Sequence, residues 1–103
     1  MKGGGFCVLN EVYDIIVDRL ERRPRGSYTA TLAGGGVEAV AKKVGEEAVE
    51  TVIEALRGDR DRVAEEASDL LYHLLLLLAL RGLRPGDVEA VLRSRMGGGG
   101  VDG

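Results

Sequence analysis

The run Leu70-Leu71-Tyr72-His73-Leu74-Leu75-Leu76-Leu77-Leu78-Ala79-Leu80 constrains this chain more than any other stretch. Just upstream, Val63, Ala64, Ala67, Leu70 and Leu71 recur at helical spacing against Glu65, Glu66 and Asp69. That spacing predicts one helix from about Asp61 to Arg81. Over its second half, Leu74 to Leu80, the helix is apolar on every face, and such a helix must be covered on every side. The run is eleven residues long and contains His73. A bilayer span needs about 20 apolar residues, so no membrane is expected and the cover has to be protein. A chain of 103 residues buries only about two-thirds of the surface its unfolded form exposes. The missing cover is therefore expected from a second copy, in a homodimer. Each fully buried leucine is worth roughly 1.5–3 kcal/mol, enough to make that interface obligate.

The rest of the chain reads as helix too. Val8, Val12, Ile15, Ile16 and Leu20 predict a first helix from Val8 to Arg23, stopped by Pro24 and Gly26. Ser27 is placed to cap a short helix through Leu32. Gly34-Gly35-Gly36 lacks the spacing of a phosphate-binding Walker loop and follows no strand, so a flexible connector is expected there. Val37 to Arg57 is a second long helix, with Gly58 as the residue that ends it. Asp59 or Asp61 can cap the leucine-rich helix, and Gly82 ends it. Pro85 suits the first position of a last helix reaching about Arg95. The chain has no Trp and one Phe, so its core has to be Leu, Val, Ile and Ala. No strand signal survives. The expectation is one all-α domain over 1–96, a bundle of four to five helices completed by dimerisation, with a Gly-rich flexible tail over 97–103.

The overall balance excludes several classes of function. A hydrophobic fraction of 45% with 30% charged residues fits a globular protein rather than disorder. The net charge of −3 offers no broad basic field, so no nucleic-acid partner is expected. Cys7 is the single cysteine, which excludes an intrachain disulfide and a cysteine zinc site. It fits a reducing cytoplasm. The residues before Val8 hold no apolar run long enough for a secretory signal. One histidine excludes a His-rich metal site, and His73 reads as a core or interface residue.

The chemistry lies in the acids. Glu47 and Glu50 stand at i, i+3 on one predicted helix, and Glu66 and Asp69 do so on the next. Each pair occupies one helix face, about one turn apart. On facing helices they would crowd four carboxylates together, which repel unless a cation holds them. Oxygen-only ligands suit Mg²⁺, which is hard and octahedral. One Mg²⁺ among four carboxylates leaves net negative charge, so a polyphosphate is expected to enter with additional metal, more than one ion per site. Such ions neutralise phosphate oxygens and activate water for attack on phosphorus.

A plainer reading treats the acids as the wet face of a helix. On a helical wheel Glu46, Glu47, Glu50 and Glu54 form a stripe roughly opposite Ala48, Val49, Val52, Ile53 and Leu56. Against the wet-face reading, Glu46/Glu50 and Glu50/Glu54 are like-charged i, i+4 pairs, which cost helix stability. No Lys or Arg between Lys43 and Arg57 offsets them. Ser27, Tyr28 and Thr29 have a functional reading as hydroxyl donors beside a polar ligand, and Arg22-Arg23-Pro24-Arg25 is a small basic cluster able to attract phosphate.

Three blocks carry a resemblance. Gly26-Ser27-Tyr28-Thr29, then Lys42-Lys43-Val44-Gly45-Glu46-Glu47-Ala48-Val49-Glu50, then Glu66-Ala67-Ser68-Asp69-Leu70-Leu71-Tyr72-His73-Leu74-Leu75, are similar to the MazG-like all-α nucleotide pyrophosphohydrolases. Within them they look most like the phosphoribosyl-ATP pyrophosphohydrolases of histidine biosynthesis, over about Leu9 to Arg93. The resemblance implies an all-α fold with a homodimeric core. It implies hydrolysis of phosphoribosyl-ATP, an ATP-derived nucleotide, to phosphoribosyl-AMP and diphosphate, the second step of histidine synthesis. Glu47, Glu50, Glu66 and Asp69 match the family's Mg²⁺ ligands. Glu46 matches an extra acid that orients or deprotonates the water. Lys42 and Lys43 suit phosphate contacts, against a plain reading as a solvated helix face. Two other functions stay open: a house-cleaning hydrolase of non-canonical or deoxynucleoside triphosphates on the same fold, and a non-enzymatic helical dimerisation module.

Overall fold

Caps and turn residues set where each helix begins and ends in the computed structural model, which describes residues 5–98 of the chain. Five helices follow one another: α1 (Gly5–Arg22), α2 (Tyr28–Ala33), α3 (Gly36–Arg57), α4 (Arg60–Leu80) and α5 (Pro85–Gly98). No strand occurs among the described residues, so the fold is all-α. The side chain of Cys7 and residues 99–103 of the expected tail lie outside the described part. Gly97 and Gly98, also assigned to that tail, form the last turn of α5.

The stops are local. Arg23 takes a left-handed φ of 46° just after α1, and Pro24 follows it. Ser27 caps α2, its hydroxyl accepting from the Ala30 amide at 3.1 Å. Asp59 rather than Asp61 caps α4, accepting from the Arg62 amide at 3.2 Å. Gly58 closes α3 at φ 82°, a conformation that costs any residue with a Cβ. The triple glycine differs from the flexible connector expected of it. It is a tight joint: α2 ends at Ala33 and α3 begins at Gly36. Gly36 sits at φ 84°, and a Cβ on Gly35 would meet the Ala39 Cβ at 2.8 Å. The glycines let two helix ends meet at close quarters.

The packing centres on α4. It forms a hairpin with α3, and pairs such as Glu54 with Arg62 and Glu47 with His73 show the two helices running antiparallel. Helix α1 packs on α4, and α2 fills the angle between α1 and α3. Three side chains are fully buried, Ile16 from α1, Val40 from α3 and Leu76 from α4, and Tyr13 and Leu75 join them. The Tyr13 hydroxyl donates to the Leu83 carbonyl at 2.8 Å, which ties α1 to the turn before α5. The all-round cover expected for the leucine run is nearly reached within one chain. Leu75 and Leu76 are buried and Leu77 to Leu80 partly so, while Leu71 and Leu74 stay exposed.

Helix α3 is turned the less usual way. Val49, Val52, Ile53 and Leu56 are exposed, Leu56 at 83%, whereas Glu54 is 4% exposed and Glu47 is half-buried against α4. Glu46 and Glu50 remain in solvent. The acid stripe is therefore not simply the wet face, and the apolar stripe lies open on this chain.

The core residues set the stability of the hairpin. Ile16→Ala and Leu76→Ala are each expected to lower the unfolding free energy by about 2–5 kcal/mol, read from urea denaturation, because each leaves a cavity where three helices meet. A loss under about 1 kcal/mol at both would mean that the core lies elsewhere.

Candidate active site

The chain's polar chemistry gathers where α3 faces α4, with α2 beside it. Antiparallel packing brings Glu47 and Glu50 opposite the stretch from Glu66 to His73. The two acid pairs share one electrostatic field. The carboxyl of Glu66 is held above the ordinary carboxylate range, first by loss of solvent around a half-buried side chain, then by the carboxylates of Glu50 and Asp69. Glu47 adds to this more weakly, and the Arg62 guanidinium opposes it. The facing of the two pairs is present in the antiparallel packing of α3 on α4. Convergence is not: as the side chains stand, no three His, Cys, Asp or Glu among the described residues close on a point that would hold a metal ion.

Glu47 is the anchored member. Its Oε1 lies 2.5 Å from Nδ1 of His73. The same nitrogen lies 2.9 Å from the Asp69 carbonyl, one turn back on α4. On the other side of the ring, Nε2 is 2.8 Å from the Tyr28 hydroxyl. His73 is 5% exposed, a core histidine as its place in the leucine run suggested, yet its partner is one of the site's acids. Sequence reasoning missed that link. The available signal was position: His73 follows Asp69 by four residues, on the face that meets Glu47.

The hydroxyl block behaves differently from the expected set of ligand donors. Each hydroxyl already has a partner within the chain. Ser27 caps α2, Tyr28 meets His73, and Thr29, itself buried, is hydrogen-bonded to the Tyr72 hydroxyl. Tyr28 is 53% exposed as a residue while its hydroxyl turns in to His73. Partial burial pushes that phenol above its ordinary value, helped by Glu47, Tyr72 and Asp69 and opposed by Lys43. Lys43 therefore sits on the α2 side of the site. Its ammonium is 4.0 Å from Glu46 Oε1, a solvent-facing i, i+3 pair. Lys42 is exposed, and no described contact ties it to the acids. At the far end of the seam Arg62 reaches buried Glu54 at 3.4 Å.

These features define an all-α protein with an acidic cluster spanning two antiparallel helices and a lysine at its edge. Sequence comparison gives the family. The family model for phosphoribosyl-ATP pyrophosphohydrolase matches residues 9–96. A phosphoribosyl-ATP pyrophosphatase of Metallosphaera sedula is 53% identical over 89 residues, 86% of this chain and 96% of that protein. Its namesake in Saccharolobus solfataricus is 48% identical over 88 residues, 85% of this chain and 94% of that one. The corresponding protein of Saccharolobus islandicus strain L.S.2.15 is 46% identical over the same length. The chain belongs to the phosphoribosyl-ATP pyrophosphohydrolase family.

The raised Glu66 carboxyl has a consequence for stability. A carboxyl whose folded-state value exceeds its unfolded one holds its proton more tightly when folded. Its contribution is present at low pH and is lost as pH rises through the raised value. Glu66→Gln is expected to raise the melting temperature at pH 7 in chelator, with the gap to wild type closing as pH falls through the carboxylate range. Circular dichroism melts at several pH values check this; a gap independent of pH would remove the repulsion argument.

Proposed function

We propose that this chain hydrolyses phosphoribosyl-ATP to phosphoribosyl-AMP and diphosphate, the second step of histidine biosynthesis, as a Mg²⁺-dependent homodimer in the cytoplasm. The observation that carries the reading is the antiparallel packing of α3 on α4, which sets Glu47 and Glu50 opposite the stretch that bears Glu66 and Asp69. The names of the relatives, all phosphoribosyl-ATP pyrophosphatases, point to the substrate. Among the described residues no helix is long and apolar enough to cross a membrane.

Glu47, Glu50, Glu66 and Asp69 would hold the metal. They are oxygen donors on facing helices, the type Mg²⁺ prefers. Bound there, Mg²⁺ would supply charge neutralisation for phosphate oxygens and a more acidic water. The chain's own residues do the rest. Exposed Glu46 is free to orient that water and take a proton from it, since its 4.0 Å contact with Lys43 is loose. Lys43, between Glu46 and the Tyr28 side of the site, is suited to a phosphate oxygen, and exposed Lys42 to the outer part of the triphosphate. Attack of the water oxygen on the α-phosphorus breaks its bond to the bridging oxygen, and diphosphate leaves.

The exposed stripe Val49, Val52, Ile53 and Leu56 along α3 supports the dimer, because apolar residues at helical spacing left open to water form a face suited to a partner helix. Val52→Glu is expected to shift the protein from dimer to monomer in analytical ultracentrifugation; an unchanged mass would place the interface elsewhere.

The activity is tested by following diphosphate release from phosphoribosyl-ATP and, separately, from a panel of canonical and modified triphosphates. Turnover of phosphoribosyl-ATP alone is expected, and turnover of the panel alone would replace the substrate assignment. Glu50→Gln and Asp69→Asn are expected to lower Mg²⁺-dependent turnover by about 100-fold or more, with helix content retained by circular dichroism. Full activity in both would remove Glu50 and Asp69 from the metal site, whereas folded wild type that turns over none of these substrates would return the chain to the non-enzymatic reading.

A further inference from the structure

Among the described residues His73 is the one hydrogen-bond partner of the Glu47 side chain. The contact crosses from α4 to α3 deep in the seam. Both neighbours of His73 Nδ1, the Glu47 carboxylate at 2.5 Å and the Asp69 carbonyl at 2.9 Å, are acceptors. A ring nitrogen between two acceptors must carry its proton. In the neutral ring Nε2 is then the acceptor, and the Tyr28 hydroxyl at 2.8 Å donates to it. A flipped ring would set carbons against both Glu47 and Tyr28. The ring is also clamped edge-on, its centroid 5.7 Å from that of Tyr28 and 5.0 Å from that of Tyr72.

We propose that His73 is a positioning residue for the acidic cluster. Through Nδ1–H it holds one oxygen of Glu47 and leaves the other free for the cluster, while Tyr28, on α2, fixes the tautomer that makes this possible. The inference rests on Glu47 serving as a metal ligand. Its consequence is that α2 takes part in the site without offering its hydroxyls to substrate: Tyr28 acts on Glu47 through the imidazole. A ligating carboxylate free to swing would lose this orientation, and hydrogen-bond partners of metal ligands are worth roughly 10–100-fold in affinity or activity.

His73 is the chain's single histidine, so its imidazole ¹⁵N resonances are unambiguous. Wild type near pH 8 is expected to show the Nδ1–H tautomer, and Glu47→Gln to shift that nitrogen. An Nε2–H tautomer would overturn the proposal. Two variants separate positioning from mere packing. In His73→Asn the side-chain amide stands near the Nδ1 site, whereas in His73→Gln it stands nearer the Nε2 site. The Gln variant is expected to weaken Mn²⁺ binding, read by electron paramagnetic resonance, and to lower kcat, each by roughly 10–100-fold, with KM little changed. The Asn variant should recover most of both losses, and Tyr28→Phe should lose less, in the same direction. Equal losses in Asn and Gln, or a folded Gln variant with Mn²⁺ affinity and kcat within about threefold of wild type, would sink the positioning role. If neither variant folds, the wild-type tautomer decides. Wild type that binds no Mn²⁺ would remove the metal reading and this proposal together, whereas an Nε2–H tautomer with normal Mn²⁺ binding removes this proposal alone.

Discussion

Glu47 carries a carboxylate into the seam between two packed helices, and a charge placed there must be hydrogen-bonded. Much of the structure is the answer to that demand. The donor comes from α4, so the leucine run has to be broken by one polar residue, His73. A buried imidazole has two nitrogens to satisfy, so a second partner is needed, and Tyr28 supplies it from α2. Tyr28 reaches His73 because α2, packed against α1 and α3, lies within side-chain reach of α4, where Thr29 also meets Tyr72. The short α2 can dock there and still feed α3 because three glycines join the two helices almost end to end. Among the described residues no buried side-chain nitrogen or oxygen lacks a partner. The chain of bonds from Glu47 to α2 is one reason.

The same demand explains the orientation of α3. An amphipathic helix normally buries its apolar stripe, and here Val49, Val52 and Leu56 are left outside while Glu54 is buried and Glu47 half-buried against α4. Within one chain this is unfavourable: apolar surface stays wet at about 25 cal/mol per Å², and acids lose solvent. It is sensible if the outer face belongs to an interface and the inner one to a site. Ile16, Val40 and Leu76 hold the helices together where the acids do not reach, so the cluster can be tuned for charge rather than for packing.

Much of the fold was legible because its signals are local. Ser27, Gly58 and Pro85 ended or began helices where their chemistry says they should, and the 3.6-residue period found each long helix. The acid pairs were legible for the same reason, since i, i+3 spacing on consecutive helices has few geometries open to it. Contacts between helices were not legible. Nothing in Ser27-Tyr28-Thr29 says that its hydroxyls face inward, because a hydroxyl reads the same whether it meets a ligand, a helix end or a histidine. Nothing in His73 names Glu47, because the register of two antiparallel helices depends on the turn between them, and Gly58-Asp59 fixes it only in three dimensions. The triple glycine misled for a related reason. Composition counts glycine as freedom, whereas Gly35 is required by closeness and Gly36 by its backbone angle.

With the hydroxyl block turned inward, the proposed reading assigns contact with an anionic substrate to the helix that bears Glu46, Glu47 and Glu50. Lys42 and Lys43 stand one turn before Glu46 and Glu47, so attraction and repulsion for a polyphosphate come from adjacent turns of α3. Around Glu66 loss of solvent comes first and the carboxylates of Glu50 and Asp69 next, and together they favour its protonated form. In the proposed reading a bound cation would offset that cost by drawing the carboxylates together. In the proposed reading, metal and substrate phosphate each remove part of what makes the other's approach costly, because each cancels charge that the fold itself cannot.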